Sequence, residues 1–316
     1  MKKRLITGII LAIILIPLLL VKELFPILQI VLGLLCVIAT IEMINMCEKK
    51  KVMKLPVKII VIVSTMLIYM GIVNENPACS NAIITKFLGK FDFYLNILTT
   101  LTISAALIFA CQVFVDDFDA ADVGSALMIV LYVSLSFSAL TVTLFNGVRF
   151  LVYLGIVCFG TDIFAYVFGM AFGRHGRHKL CPKISPKKSW EGAIGGTITG
   201  TLLATLFATL YPVFGHFFVS NGEPIKFFEG IFDYEAMGHA GVVFAILLLS
   251  FILSISSQIG DLICSKFKRT YDIKDFSQVI PGHGGILDRF DSVLFASIVF
   301  LSFITICRIL LPLILV

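Results

Sequence analysis

The chain has 316 residues, of which 59% are AVILMFWYC and only 14% are charged, with a formal net charge of +5 and a mean hydropathy of +1.02. A soluble domain carries about 25% charged residues, so this balance excludes a soluble enzyme, a disordered chain and a nucleic-acid-binding module. This much apolar surface must face lipid, and the fold class it predicts is all-α, a polytopic membrane helix bundle.

Nine apolar stretches are long enough to cross a bilayer: 4–21, 25–46, 56–73, 94–113, 124–145, 149–173, 191–213, 240–264 and 291–315. A span needs about 20 residues at about 1.5 Å each. Met1-Lys2-Lys3-Arg4 and the run that follows have the shape of a signal peptide. No small-residue cleavage site follows and Pro17 interrupts the run, so an uncleaved first span is expected. With the N-terminus in the cytoplasm, segments 1–4, 47–58, 174–190 and 265–290 hold three, five, six and five of the 25 Lys and Arg residues. The opposite side holds Lys22, Lys86, Lys90, Arg149 and Lys226. That asymmetry obeys the positive-inside rule and places the protein in the cell membrane with its basic loops facing the cytoplasm. The remaining loop on that side, Asp116 to Asp122, is acidic and carries little weight in the rule. The eight cysteines form no C-x-x-C pair and read as small packing residues. Residues 1–150 read as a transmembrane scaffold. Residues 151–316 read as the catalytic half, with two basic cytoplasmic loops.

Polar residues in that second half are candidates for chemistry. Asp162 lies inside the sixth span, where an acid costs about 2.5–3.5 kcal/mol to insert and normally faces a polar cavity. The stretch 173–196 carries Arg174, His175, Arg177, His178, Lys179, Lys183, Lys187 and Lys188. It reads equally as an anchor on anionic headgroups or as a polyphosphate or lipid-head site. Ser185-Pro186 suits a turn and Ser189 a helix N-cap. Ser254, Ser256, Ser257 and Gln258 make the eighth span polar ahead of Asp261.

The densest stretch is Asp261 to Asp291. Asp261, Ser265 and Lys268 are spaced i, i+4, i+7 and share one helix face. Asp288 and Asp291, with Arg289 between them, stand at the entrance of the last span. Carboxylates hold divalent metal and cations hold phosphate oxygens. Pro281-Gly282-His283-Gly284-Gly285 lets backbone approach an anion closely. His283 stands apart from the other histidines by that setting.

Ser265, Lys268, Arg269, Lys274, Asp275, Ser277, Ile280, Pro281, His283, Gly284, Gly285, Asp288, Arg289 and Asp291 resemble the signature of the phosphatidate cytidylyltransferases (CDP-diacylglycerol synthases), without departure across residues 265–291. Asp162 to Tyr166 and Ser185 to Gly192 are similar to the family too, with Ser189 where Thr is frequent. For residues 1–150 only the hydropathy agrees. The resemblance implies the reaction of CTP with phosphatidate in the bilayer to give CDP-diacylglycerol and pyrophosphate. It implies Mg²⁺ at Asp261 and Asp288, with room for a second cation. Lys268, Arg269 and Arg289 would join these acids in catalysis. Ser265, Lys187, Lys188, His283, Gly284, Gly285 and Asp162 would bind substrate. No nucleic acid is expected as a partner, and lipid-facing helices leave room for a homodimer. The rival readings are a CTP-dependent polyprenol or phytol kinase and an ion-coupled transporter.

Overall fold

The computed structural model describes residues 21, 24–90, 95–173, 178–214, 226–279 and 284–314. Among them, eight helices are long and apolar enough to cross a membrane, at 27–47, 55–75, 97–114, 120–146, 148–172, 190–213, 234–270 and 287–308. The protein is a multi-pass membrane helix bundle. Each of these helices answers to one expected span. Residues 4–20 of the first expected span, 4–21, lie outside the described residues.

The described chain forms two units: 1–148 with 266–290, and 149–265 with 291–316. In the first, α1 (Phe25–Cys47) and α2 (Leu55–Glu75) precede a single turn at Pro77–Cys79 and the short α3 (Ile83–Gly89). Then come α4 (Ile97–Phe114) and α5 (Ala120–Asn146). Local chemistry starts the helices. Pro56 opens α2, where a missing N–H costs nothing. The Asn96 side chain accepts from Thr99 N at 2.7 Å to open α4. Asp119 and Asp122 form a capping box on α5. Helix α2 packs on α1, α4 and α5. The buried Tyr69–Thr141 hydroxyl pair, 3.0 Å apart, joins α2 to α5. Lys51 Nζ pairs with Asp119 at 3.2 Å and Asp122 at 2.5 Å.

The second unit holds α6 (Val148–Phe172), strands β1 (Lys179–Cys181) and β2 (Ser185–Ser189), and α7 (Trp190–Phe214). It also takes the larger parts of α8 (Tyr234–Thr270) and α9 (Leu287–Ile314). The hairpin corrects one expectation. Ser185 and Pro186 belong to strand β2, paired antiparallel to β1, and the turn falls one step earlier, closed by Ile184 N on Cys181 O at 3.1 Å. The N-cap expectation holds, because Gly192 N donates to Ser189 Oγ at 3.2 Å.

Helices α6 and α7 meet backbone to backbone. A Cβ on Gly192 would lie 2.5 Å from Ala165 O, one on Gly196 2.6 Å from Thr161 O, and one on Gly200 2.3 Å from Thr161 Oγ1. Small residues at four-residue spacing are how lipid-immersed helices approach closely. Buried hydroxyls tie α8 to this pair: Tyr153–Ser250 at 2.7 Å, Thr161–Ser254 at 2.6 Å and Thr205–Ser250 at 3.2 Å. Residues 226–233 fold back into the bundle, where Phe227 and Phe228 are fully buried against Phe150 and Tyr153.

Candidate functional site

Two acid–lysine clusters stand out, one in each unit. The first is built on the signature stretch. Asp288 sits in the first turn of α9, and Lys268 in the last turn of α8. Lys268 Nζ donates to Asp288 Oδ1 at 2.8 Å, with side chains 15% and 6% exposed. Asp288 Oδ2 accepts from Phe276 N at 2.8 Å and Gly285 N at 3.0 Å. One carboxylate thus ties together a lysine and two points of the loop that precedes it. Lys268 also lies over the Phe276 ring, 5.4 Å from its centroid.

The glycines serve this packing. Gly284 has φ +87, and a Cβ there would lie 3.0 Å from Asp288 Oδ2; at Gly285 it would lie 2.6 Å from Glu42 Oε1. In this structure the anions that approach the glycines are the protein's own carboxylates. Arg269 and Arg289 are exposed, and His283 lies outside the described residues.

Glu42 is the residue that sequence reasoning passed over. It is 1% exposed on α1. It accepts from Ser277 Oγ at 2.5 Å, Ile286 N at 2.9 Å and Leu287 N at 2.9 Å. The signal that flags Asp162 was present here as well, an acid in the middle of an apolar run. Nearby, Tyr132 stacks edge-on to Phe267 at 5.7 Å, and Lys50 lies 5.0 Å from the Tyr271 ring. Burial, then the hydrogen bond to Cys47, pushes the Tyr271 phenol upward from its usual pKa. An open cavity lies beside the stretch, lined by Asn45, Glu48 and Lys49 from the end of α1 and by residues 272–278.

The second cluster surrounds Asp261 on α8. Lys188 Nζ, carried on β2, lies 2.5 Å from Asp261 Oδ2, and both side chains are 26% exposed. Ser265 Oγ, one turn on, donates to Asp261 Oδ1 at 3.3 Å. Asp162 hydrogen-bonds Ser292 and lies within electrostatic range of Asp261 and Lys188. The hairpin is therefore the device that brings a basic loop back to an acid on a membrane helix. Lys187 next to it is exposed. The expected residues Asp162, Lys188, Asp261 and Ser265 come together in this unit, as do Lys268, Gly284, Gly285 and Asp288 in the other.

Among the described residues no group of three or more His, Cys, Asp or Glu side chains forms a metal cage. Mg²⁺, however, is usually held by one or two carboxylates plus substrate phosphates and water. Asp261 fits that mode. Each of its oxygens has one protein partner, and the group is reachable. Asp288 fits it once Lys268 moves from Oδ1 to a phosphate oxygen, because three protein donors already occupy the carboxylate.

These features define a polytopic membrane protein whose intramembrane acids are paired with lysines suited to phosphate. The chain belongs to the cytidylyltransferase family, whose sequence profile matches residues 2–307. It is similar to proteins named phosphatidate cytidylyltransferase from Staphylococcus haemolyticus, 33% identical over 174 residues, and Staphylococcus aureus, 32% identical over 174 residues. A third, from Staphylococcus epidermidis, is 31% identical over 174 residues. Each match covers 55% of this chain and 56% of the relative, so the chain spans little more than half the length of the relatives it matches.

Proposed function

We propose that this protein transfers the cytidylyl group of CTP to phosphatidate, giving CDP-diacylglycerol and pyrophosphate. The observation that carries the reading is the unbroken signature at 265–291, with its Lys268–Asp288 pair half-buried and hydrogen-bonded. A phosphate monoester oxygen of the lipid attacks the α-phosphorus of CTP. The bond from that phosphorus to the β-phosphoryl oxygen breaks, and pyrophosphate leaves with the electron pair. The nucleophile belongs to the substrate, so the protein's work is positioning and charge neutralisation.

Lys268, Arg269 and Arg289, with Lys187 and Lys188, would neutralise charge on the departing pyrophosphate or the lipid phosphate, and Ser265 and Asp162 belong to the polar surroundings of Asp261. Gly284, Gly285 and His283 are the residues of the signature that the resemblance assigns to substrate binding. Asp261 and Asp288 are the acids that would hold Mg²⁺, which when bound supplies Lewis-acid stabilisation of triphosphate oxygens. Segments 174–190 and 265–290 lie on the Lys/Arg-rich side of the expected topology, so the reaction would face the cytoplasm, where CTP is found.

The test is incubation of the purified chain with phosphatidate, Mg²⁺ and CTP labelled at the α- or the γ-phosphorus. Label from the α-position in lipid, with pyrophosphate release, is the expected result. Label from the γ-position in lipid would instead mean a kinase. Absence of CTP turnover would favour the transporter reading.

A further inference from the structure

Glu42 has no place in the reaction just described, yet its contacts are specific. Two backbone N–H groups at the head of α9, Ile286 and Leu287, have no partner within that helix by virtue of their position. Glu42 reaches them from α1 at 2.9 Å each, and takes the Ser277 hydroxyl at 2.5 Å. Gly285 is the residue that makes room for this approach. The pattern interleaves with that of Asp288, which takes Phe276 N, Gly285 N and Lys268. Two carboxylates therefore hold alternate points of one stretch, and one of them is delivered by a helix more than 200 residues earlier. Ser277 also lines the open cavity, together with Asn45, Glu48 and Lys49 from the end of the helix that bears Glu42.

We propose that Glu42 is a positioning residue for the signature stretch: it sets the backbone at 285–287 and the Ser277 side chain, and so fixes where Asp288 presents Lys268. The proposal rests on the cytidylyltransferase reading above. A carboxylate is the group the site demands. Three donors converge on it, and a carboxylate is acceptor-only. Glutamine keeps the shape but turns an N–H₂ toward at least one of those donors. Aspartate keeps both acceptor oxygens but is one methylene short. A packing role alone would make the choice between these two variants a matter of volume.

The experiment uses the full chain in lipid nanodiscs. Wild type, Glu42→Gln, Glu42→Asp and Ser277→Ala are compared for CDP-lipid formation with CTP varied, and for backbone hydrogen exchange. Glu42→Gln is expected to raise KM for CTP about fivefold or more and to lower kcat about tenfold. Glu42→Asp should recover part of both, and Ser277→Ala should raise KM about two- to fivefold. Exchange over 284–290 should quicken in all three variants while that of 55–75 stays as in wild type. A smaller folded fraction lowers the apparent kcat but cannot move KM. KM within twofold of wild type in all variants, with unchanged exchange over 284–290, would overturn the proposal. If Glu42→Gln does not fold, Glu42→Asp and Ser277→Ala decide by the same measures. If wild type itself makes no CDP-lipid, the activity reading fails, and hydrogen exchange alone decides whether Glu42 orders the stretch.

Discussion

The two acid–lysine clusters differ in how far the protein itself satisfies their carboxylates. Asp288 is 6% exposed and takes three protein donors, one of them a lysine that is 15% exposed. Asp261 is 26% exposed and has one partner on each oxygen, a lysine on a hairpin and a serine one turn away. A saturated, buried carboxylate holds its surroundings in place. A half-satisfied, reachable one has lone pairs left for a ligand. Both carry the same residue type and the same kind of partner, so the environment sets how much must move before each can take a ligand.

The largest effects should separate the two acids. Asp261→Asn is expected to cut CDP-lipid formation about 10²–10³-fold, the scale of losing one transition-state electrostatic group. Its thermal midpoint should stay close to wild type. Asp288→Asn should lose activity and also stability, by about 1–3 kcal/mol, because Phe276 N, Gly285 N and Lys268 lose a charged acceptor. Thermal unfolding monitored alongside turnover reads both. A larger loss of stability in Asp261→Asn than in Asp288→Asn would contradict this assignment of the two carboxylates.

Gly285→Ala comes next, with a Cβ that would lie 2.6 Å from Glu42 Oε1. A loss of about 1–3 kcal/mol is expected from such overpacking. Gly124→Ala is its counterpart, with nothing within 4 Å of the added carbon. In a helix interior that change should stabilise by about 0.5–1 kcal/mol. A Mg²⁺ titration sharpens the account of Asp261. Lys188 competes with a cation for its carboxylate, so Lys188→Gln should lower the half-saturating Mg²⁺ while reducing kcat about tenfold, about 1.4 kcal/mol in the barrier. A rise in half-saturating Mg²⁺ would contradict the competition.

The smallest effect lies away from both clusters. Backbone hydrogen bonding from Asp122, then Lys51, holds the Asp119 carboxyl below the usual carboxylate pKa, and Asp122 and Asp119 hold Lys51 above its own. A depressed acid contributes stability that is present above its unfolded pKa of about 3.9 and fades as pH falls through the lower folded value. The Lys51 contribution runs the other way and fades only at strongly alkaline pH. Asp119→Asn should therefore narrow the stability difference from wild type below about pH 4 and leave turnover within twofold. Unfolding midpoints across an acid series check this.

Much of the scaffold is legible from hydropathy because lipid makes the requirement one-dimensional: enough apolar residues in a row. The expected 56–73 became Leu55–Glu75, and 25–46 became Phe25–Cys47. The expected 240–264 answers to the part of Tyr234–Thr270 that follows the break at Gly238 (φ +65), and it ends later because the helix runs on through Lys268 and Arg269. The reading also finds the acids and bases of the signature, since unusual polar residues are conspicuous against an apolar background. What it misses depends on partners far along the chain. Nothing local in Ser185-Pro186-Lys187-Lys188-Ser189 alternates as a strand does, and its pairing comes from Lys179 to Cys181. Phe227 and Phe228 look like loop residues until the rings around them are known. Glu42 is visible as an acid in an apolar helix, but its partners lie 235 to 245 residues away.

That distance also governs how the protein is made. Chains elongate at about 5–20 residues per second, so Glu42 emerges roughly 10–50 s before Ser277 and Leu287 exist. During that interval α1 enters the bilayer with an acid that lacks its final donors, at an insertion cost of a few kcal/mol. A nascent chain cut short before the signature never acquires them. A chain without residues 277–287 would therefore leave the Glu42 carboxylate in the membrane without the three donors that satisfy it.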